Sequence, residues 1–189
     1  AHLAAGQLGE AGECLKRSLA LMPTNEVTKG NCEVLRHLRR TGGTFLDFLL
    51  RPLDRKRLAR LEEKCERAGD FQELTRAAAA WNHDRLLAWK WDLCRRREMA
   101  DYPEVYKALR AFFGFVGGLA EDTYLLYEEM EWFRSRWTSI INKFIFKMAD
   151  ADALVIGEIY AGLFSFYGLL AARGLADQAD YAAFCSELS

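Results

Sequence analysis

Proline is nearly missing from this chain: three in 189 residues, at Pro23, Pro52 and Pro103. The 14 glycines fall singly or in pairs, so long stretches of good helix formers run without a breaker. Period-two alternation is also scarce, which leaves no evident strand and argues against a sheet. Histidine is limited to His2, His37 and His83, and none stands in a recognisable metal-ligand pattern. His83-Asp84 is the nearest approach to a paired site, and it reads as a polar loop at a helix start. No G-x-S-x-G appears, nor a Cys/His pair at catalytic spacing, nor a glycine-rich loop after a strand. Gly42-Gly43 and Gly117-Gly118 read as turns. No catalytic residue, metal or cofactor is expected.

One sign of charge does not dominate either. The net charge is −1, so no global field draws the protein to nucleic acid or membrane. The halves differ, however. Residues 1–100 hold 19 Lys and Arg against 14 Asp and Glu, whereas 101–189 hold 7 against 13. That imbalance is either two unequal solvated faces or two charged surfaces, meeting different partners or each other in a head-to-tail dimer. The composition is 51% apolar and 28% charged, as in ordinary soluble chains. Five cysteines, an odd number without a C-x-x-C pair, suit a reducing compartment such as the cytoplasm. No signal peptide is expected from its first residues. The chain starts without Met and inside a helical pattern, so upstream sequence is expected. Ala153–Ala172 carries a single charge, Glu158, and has membrane-span length, but its glycines and aromatics favour a buried helix over a membrane span.

What is present is helical periodicity. Ala11, Leu15, Ser18 and Met22 recur at three or four residues; Pro23 ends that helix and Asn25 caps the next. Together Gly6, Ala11, Leu15, Leu19, Leu21, Pro23 and Asn25 make a joint that resembles the tetratricopeptide repeat, with Leu15 in place of the family's aromatic. Only Ala1–Ala5 would remain of that repeat's first helix. Weaker echoes follow at Glu26–Arg40, Phe45–Arg51 before Pro52, Leu58–Ala68 with the turn Gly69-Asp70-Phe71, and Leu163–Ala183. The expected fold is all-α, stacked antiparallel helix pairs. Residues 1–83 form repeat-like pairs and 84–189 form further hairpins. Asn82-His83-Asp84 and Asp101-Tyr102-Pro103 read as breaks. Helices are expected over Arg85–Met99 and over Glu104–Val116, the latter ending at Gly117-Gly118. A long helix is expected over about 120–149, and Asp150-Ala-Asp152 reads as a helix end and cap. Leu126, Met130, Phe133, Trp137, Ile140 and Phe144 form its apolar stripe, for packing or for a dimer seam.

Two clusters stand out as candidate partner-binding residues. One is basic: Arg36, Arg39 and Arg40, then Arg51, Arg55, Lys56, Arg57 and Arg60. Arg36 and Arg40 lie one turn apart and could hold an acidic peptide or a phosphate. Nucleic acid is not expected, because aromatic residues do not interleave with the basic ones. The other is aromatic. Trp89 and Trp91 cannot share a helix face, so one is core and the other, like Trp132, is open to a partner. Glu128 and Glu131 read as a solvated acidic face. The repeat resemblance implies a non-catalytic scaffold that binds a protein or peptide in a helical groove. The alternatives are the accessory domain of a larger enzyme, a sensor holding a small apolar ligand among Phe112, Phe113, Phe115, Phe164, Phe166 and Tyr167, and a self-associating module.

Overall fold

A computed structural model describes residues 2–96, 102–119, 124–147 and 153–188. The fold is all-α: among the described residues every regular element is a helix, and ten are seen. The chain divides into two compact units, Ala1–Arg51 and Pro52–Ser189.

The first unit holds α1 (Leu8–Leu21), α2 (Glu26–Thr41) and α3 (Phe45–Leu49). Its joints are set by local chemistry. The carbonyl of Asn25's side chain accepts from the Thr28 N–H at 2.9 Å, capping α2 just beyond Pro23. Gly42 closes α2 in the left-handed region (φ 68°), where a side chain would be strained. Thr44 and Asp47 then form a reciprocal capping box on α3. α1 and α2 run antiparallel: Ser18 meets Thr28 at 2.9 Å, and Gly12 packs beneath Leu35 and Arg39. Ala11, Val34, Leu35, Leu38, Leu46 and Leu49 make the small core.

The second unit contains α4 (Arg55–Ala68), α5 (Gln72–Arg96), α6 (Tyr102–Leu119), α7 (Met130–Arg134), α8 (Trp137–Lys147), α9 (Ala153–Ala172) and α10 (Gln178–Leu188). α9 packs against α6, α10 and α5. Gly162 lets it approach α6 so closely that a Cβ there would lie 2.9 Å from the Leu109 Cβ. α10 returns across it after Gly174 (φ 67°), with the Tyr181 hydroxyl donating to the Phe164 carbonyl at 3.0 Å. Phe112, Phe113, Phe133, Leu163, Phe166, Tyr167 and Phe184 are all withdrawn from water. By length and hydropathy alone α9 could also cross a membrane; in this fold Ile159, Leu163, Phe166 and Leu170 face the core.

Two expected breaks and one expected continuous helix fall differently. The Asn82-His83-Asp84 stretch does not end a helix: α5 runs through it for 25 residues. Asn82 is buried, and its amide is spent on a distant segment rather than on a local cap. Gly117-Gly118 lies within α6, which continues to Leu119. The single long helix over 120–149 is instead α7 and α8, preceded by non-helical backbone at 124–129 and separated at Ser135-Arg136. The stripe nevertheless marks burial. Leu126, Met130, Phe133, Trp137, Ile140 and Phe144 are all at most 8% exposed. Pro103 sits in the first turn of α6, where its missing N–H costs nothing. Asp101, Met99 and Asp150-Ala-Asp152 lie outside the described residues.

Candidate partner-binding site

The basic side chains separate between the two units. On α2 the apolar positions Val34, Leu35 and Leu38 turn inward, which forces Arg36, Arg39 and Arg40 to the surface. Arg39 is engaged, donating from Nη2 to the Leu8 carbonyl at 3.1 Å and so tying α2 to the start of α1. Arg36 and Arg40 make no ion pair or side-chain hydrogen bond among the described residues. Arg40 lies in the last turn, where a cation answers the helix dipole; Arg36 lies beyond the reach of that effect.

Beside them α3 contributes a stacked arrangement. The His37 ring meets Phe48 edge-on with centroids 5.2 Å apart, and the Arg51 guanidinium lies 4.3 Å from the centre of the same ring. Arg51 also donates to the Phe48 carbonyl at 2.7 Å. The first unit therefore offers two uncommitted guanidinium groups on α2 and a half-buried aromatic ring on α3. The nearest acids on these helices are Glu33, exposed one turn before Arg36, and Asp47, committed to the α3 cap.

In the second unit Lys56, Arg57 and Arg60 are exposed on α4, while Arg55 pairs with Glu129 at 3.5 Å. Of the aromatic candidates, Trp89 has no exposed surface. Its indole N–H donates to Ser165 Oγ at 3.0 Å and its ring packs on Phe166 and Tyr106. Trp89 is therefore the core member of its pair and cannot bind a partner; Trp91 is half-buried. Trp132 stays partly open, with its edge against Phe133 and the Arg136 guanidinium 5.0 Å from its ring centre.

The expected solvated face of Glu128 and Glu131 is only half right. The Glu128 side chain is 8% exposed. Its Oε2 accepts from Arg85 Nε at 2.7 Å and from the Trp81 indole at 2.9 Å, and Arg85 also lies 4.2 Å over the Trp81 ring. Nearby, Asn82 donates to the Leu125 carbonyl at 2.7 Å and accepts from the Tyr127 N–H at 2.8 Å. Tyr124 donates to Glu62. These bonds hold residues 124–129 against α4 and α5. Burial holds the Glu129 carboxyl above its ordinary range, with Arg55 opposing. Glu131 is exposed and pairs with Arg134.

Among the described residues, no group of three or more His, Cys, Asp or Glu side chains is placed to hold a metal ion. All five cysteines are thiols. Phe112, Phe113, Phe166 and Tyr167 are fully buried, with Phe113 6.1 Å from Phe112 and 5.4 Å from Phe166, and Phe166 5.2 Å from Tyr167. No family model, curated protein or solved structure matches the chain.

Proposed function

We propose that this chain is a non-catalytic helical module that binds an acidic polypeptide through the α2 face of its first unit. The observation that carries this reading is the pair Arg36 and Arg40: exposed, one helical turn apart, and without a partner among the described residues. Side chains at this spacing have Cβ atoms about 5–6 Å apart. Carboxylates at the same spacing on a partner helix, or a single phosphate between the two forks, would meet them. Phe48, on α3 of the same unit, is a half-buried ring with Arg51 and His37 packed against it. The repeat-like joint at Pro23 and Asn25 fits the same reading, since stacked helix pairs present their surfaces to other polypeptides.

Binding of a labelled acidic helical peptide, with Glu at i and i+4, tests this by fluorescence anisotropy at low salt. Arg36→Glu with Arg40→Glu should weaken it at least about tenfold, and a basic peptide should not bind the face. Unchanged affinity in that variant would remove the reading.

A further inference from the structure

The second unit repeats the feature that marks α2. The opening of α4, Arg55 to Arg60, carries four cations and no acid. Leu58 and Leu61 are half-buried and Cys65 is buried, which turns Lys56, Arg57 and Arg60 outward. Arg55 is engaged by Glu129 at 3.5 Å. Lys56, Arg57 and Arg60 make no side-chain hydrogen bond or ion pair among the described residues. The acids close to them in the chain are committed elsewhere. Asp54 accepts from the Arg57 N–H at 2.9 Å, Glu62 accepts from the Tyr124 hydroxyl, and Glu63 pairs with Arg67. Glu66 lies six residues past Arg60, off its face.

Spacing and position distinguish these three side chains from a scattered solvated surface. Lys56 and Arg60 stand one turn apart, the separation of Arg36 and Arg40 on α2, and Arg57 adjoins them three residues before Arg60. Their position is electrostatically adverse. Arg55, Lys56 and Arg57 fill the first turn, the positive end of the helix dipole, where cations are disfavoured. α2 follows the opposite and favourable order, with Glu26 in its first turn and Arg39 and Arg40 in its last. Beyond the Asp54 cap, the field at the start of α4 calls for an anion from outside.

We infer that α4 is a second docking face for the same class of ligand, an acidic helical segment with Glu at i and i+4. Its carboxylates meet Lys56 and Arg60, with Arg57 at the edge. This rests on the α2 face being a binding surface, as proposed above. Charge complementarity and the shared one-turn spacing select the ligand. α4 contains no aromatic residue on which a nucleic-acid base could stack. The α4 contact is the weaker of the two, because a lysine ammonium is a point charge where a guanidinium is a two-pronged donor. The chain therefore takes two such segments, a tighter one on its first unit and a looser one on its second.

Isothermal titration calorimetry with the acidic helical peptide at low salt gives the test. The wild type should bind in two steps. Arg36→Glu with Arg40→Glu should remove the tighter step and keep the looser. Lys56→Glu with Arg60→Glu should do the reverse, and all four changes together should abolish both. A peptide of equal charge with Glu at i and i+2 should bind the α4 face at least about tenfold more weakly. Circular dichroism checks the helices. Should the reversal in α4 disturb them, Lys56→Gln with Arg60→Gln takes its place and should weaken the looser step about tenfold. A wild type in which the α4 variant removes no step overturns the inference. So does an i, i+2 peptide that binds this face equally well, or a duplex oligonucleotide that binds it more tightly. If the tighter step alone exists and needs Arg36 and Arg40, the proposed function survives and this inference falls. If the only step is the one that Lys56→Glu with Arg60→Glu removes, the α2 reading falls and the α4 face stands.

Discussion

Arg85 Nε stands 2.7 Å from Glu128 Oε2 in a place that water does not reach, the two side chains being 0% and 8% exposed. Forty-three residues separate them in the chain. The pair clamps the non-helical stretch 124–129 against α5. Its desolvation is offset in part by the Trp81 indole, which also bonds the carboxylate.

Removing one partner should therefore be costly. Glu128→Gln strips the counter-charge from a buried guanidinium and should lower stability by about 3–5 kcal/mol. Arg85→Leu combined with Glu128→Leu should cost less than either single change, since no charge is then left inside. Urea unfolding of Arg85→Leu, Glu128→Leu and the double variant checks the order; strict additivity would refute the clamp.

Asn82 supports the same stretch by a different route. Its side chain bonds the Leu125 carbonyl and the Tyr127 N–H. Asn82→Ala should leave both backbone groups unanswered and cost about 2–3 kcal/mol. Hydrogen exchange at the Tyr127 amide should accelerate, while amides in the middle of α9 keep their protection relative to global stability.

The glycines of two helices predict opposite outcomes. At Gly162 a new Cβ would meet the Leu109 Cβ at 2.9 Å, an atom without freedom to swing aside. Gly162→Ala should destabilise by about 1–3 kcal/mol through forced separation of α6 and α9. Gly30, inside α2, has nothing within 4 Å of the same position. Gly30→Ala should stabilise by about 0.4–1 kcal/mol by restricting the unfolded chain. Thermal unfolding of the two proteins should bracket the wild type.

Glu129 gives a pH signature. Burial raises its carboxyl above the ordinary 4.5, so the folded chain holds that proton more tightly than the unfolded chain does. Its contribution to stability is then full below about 4.5 and falls as pH rises through the folded value. Glu129→Gln lacks this loss. The stability of the variant relative to wild type should climb with pH over that window and level off above it. A difference that stays flat with pH would refute the assignment.

Much of the fold was legible wherever the deciding contacts are local. Pro23 with Asn25, Gly69 with Asp70, and Gly174 punctuate helices through their own backbone limits, and these joints lie where the residues imply. Periodicity likewise marked Leu126 to Phe144 as buried. It could not show that the helix is interrupted at Ser135-Arg136, because a stripe reports which side chains face inward, not whether the backbone between them is continuous. Asn82 misleads for a related reason. Asn favours caps by local bonding, but here its amide answers a segment more than forty residues away. That Arg36 and Arg40 share an exposed face was legible from their spacing alone. The nearness of Glu131 to Asp180 was not, since it arises only through the packing of α7 on α10. No sequence signal marked the Tyr167 hydroxyl as buried without a hydrogen-bond partner among the described residues; a tyrosine in an apolar helix looks like any other core aromatic.

The division at Arg51 has a spectroscopic consequence. All five tryptophans and all seven tyrosines fall after it, leaving the first unit only Phe45 and Phe48 as aromatic residues besides its two histidines. Tryptophan emission is therefore an optical readout of the second unit alone, whereas the far-ultraviolet helix signal sums both. The two melting curves superimpose only when both units lose their helices together, and any gap between them measures how independently each one melts.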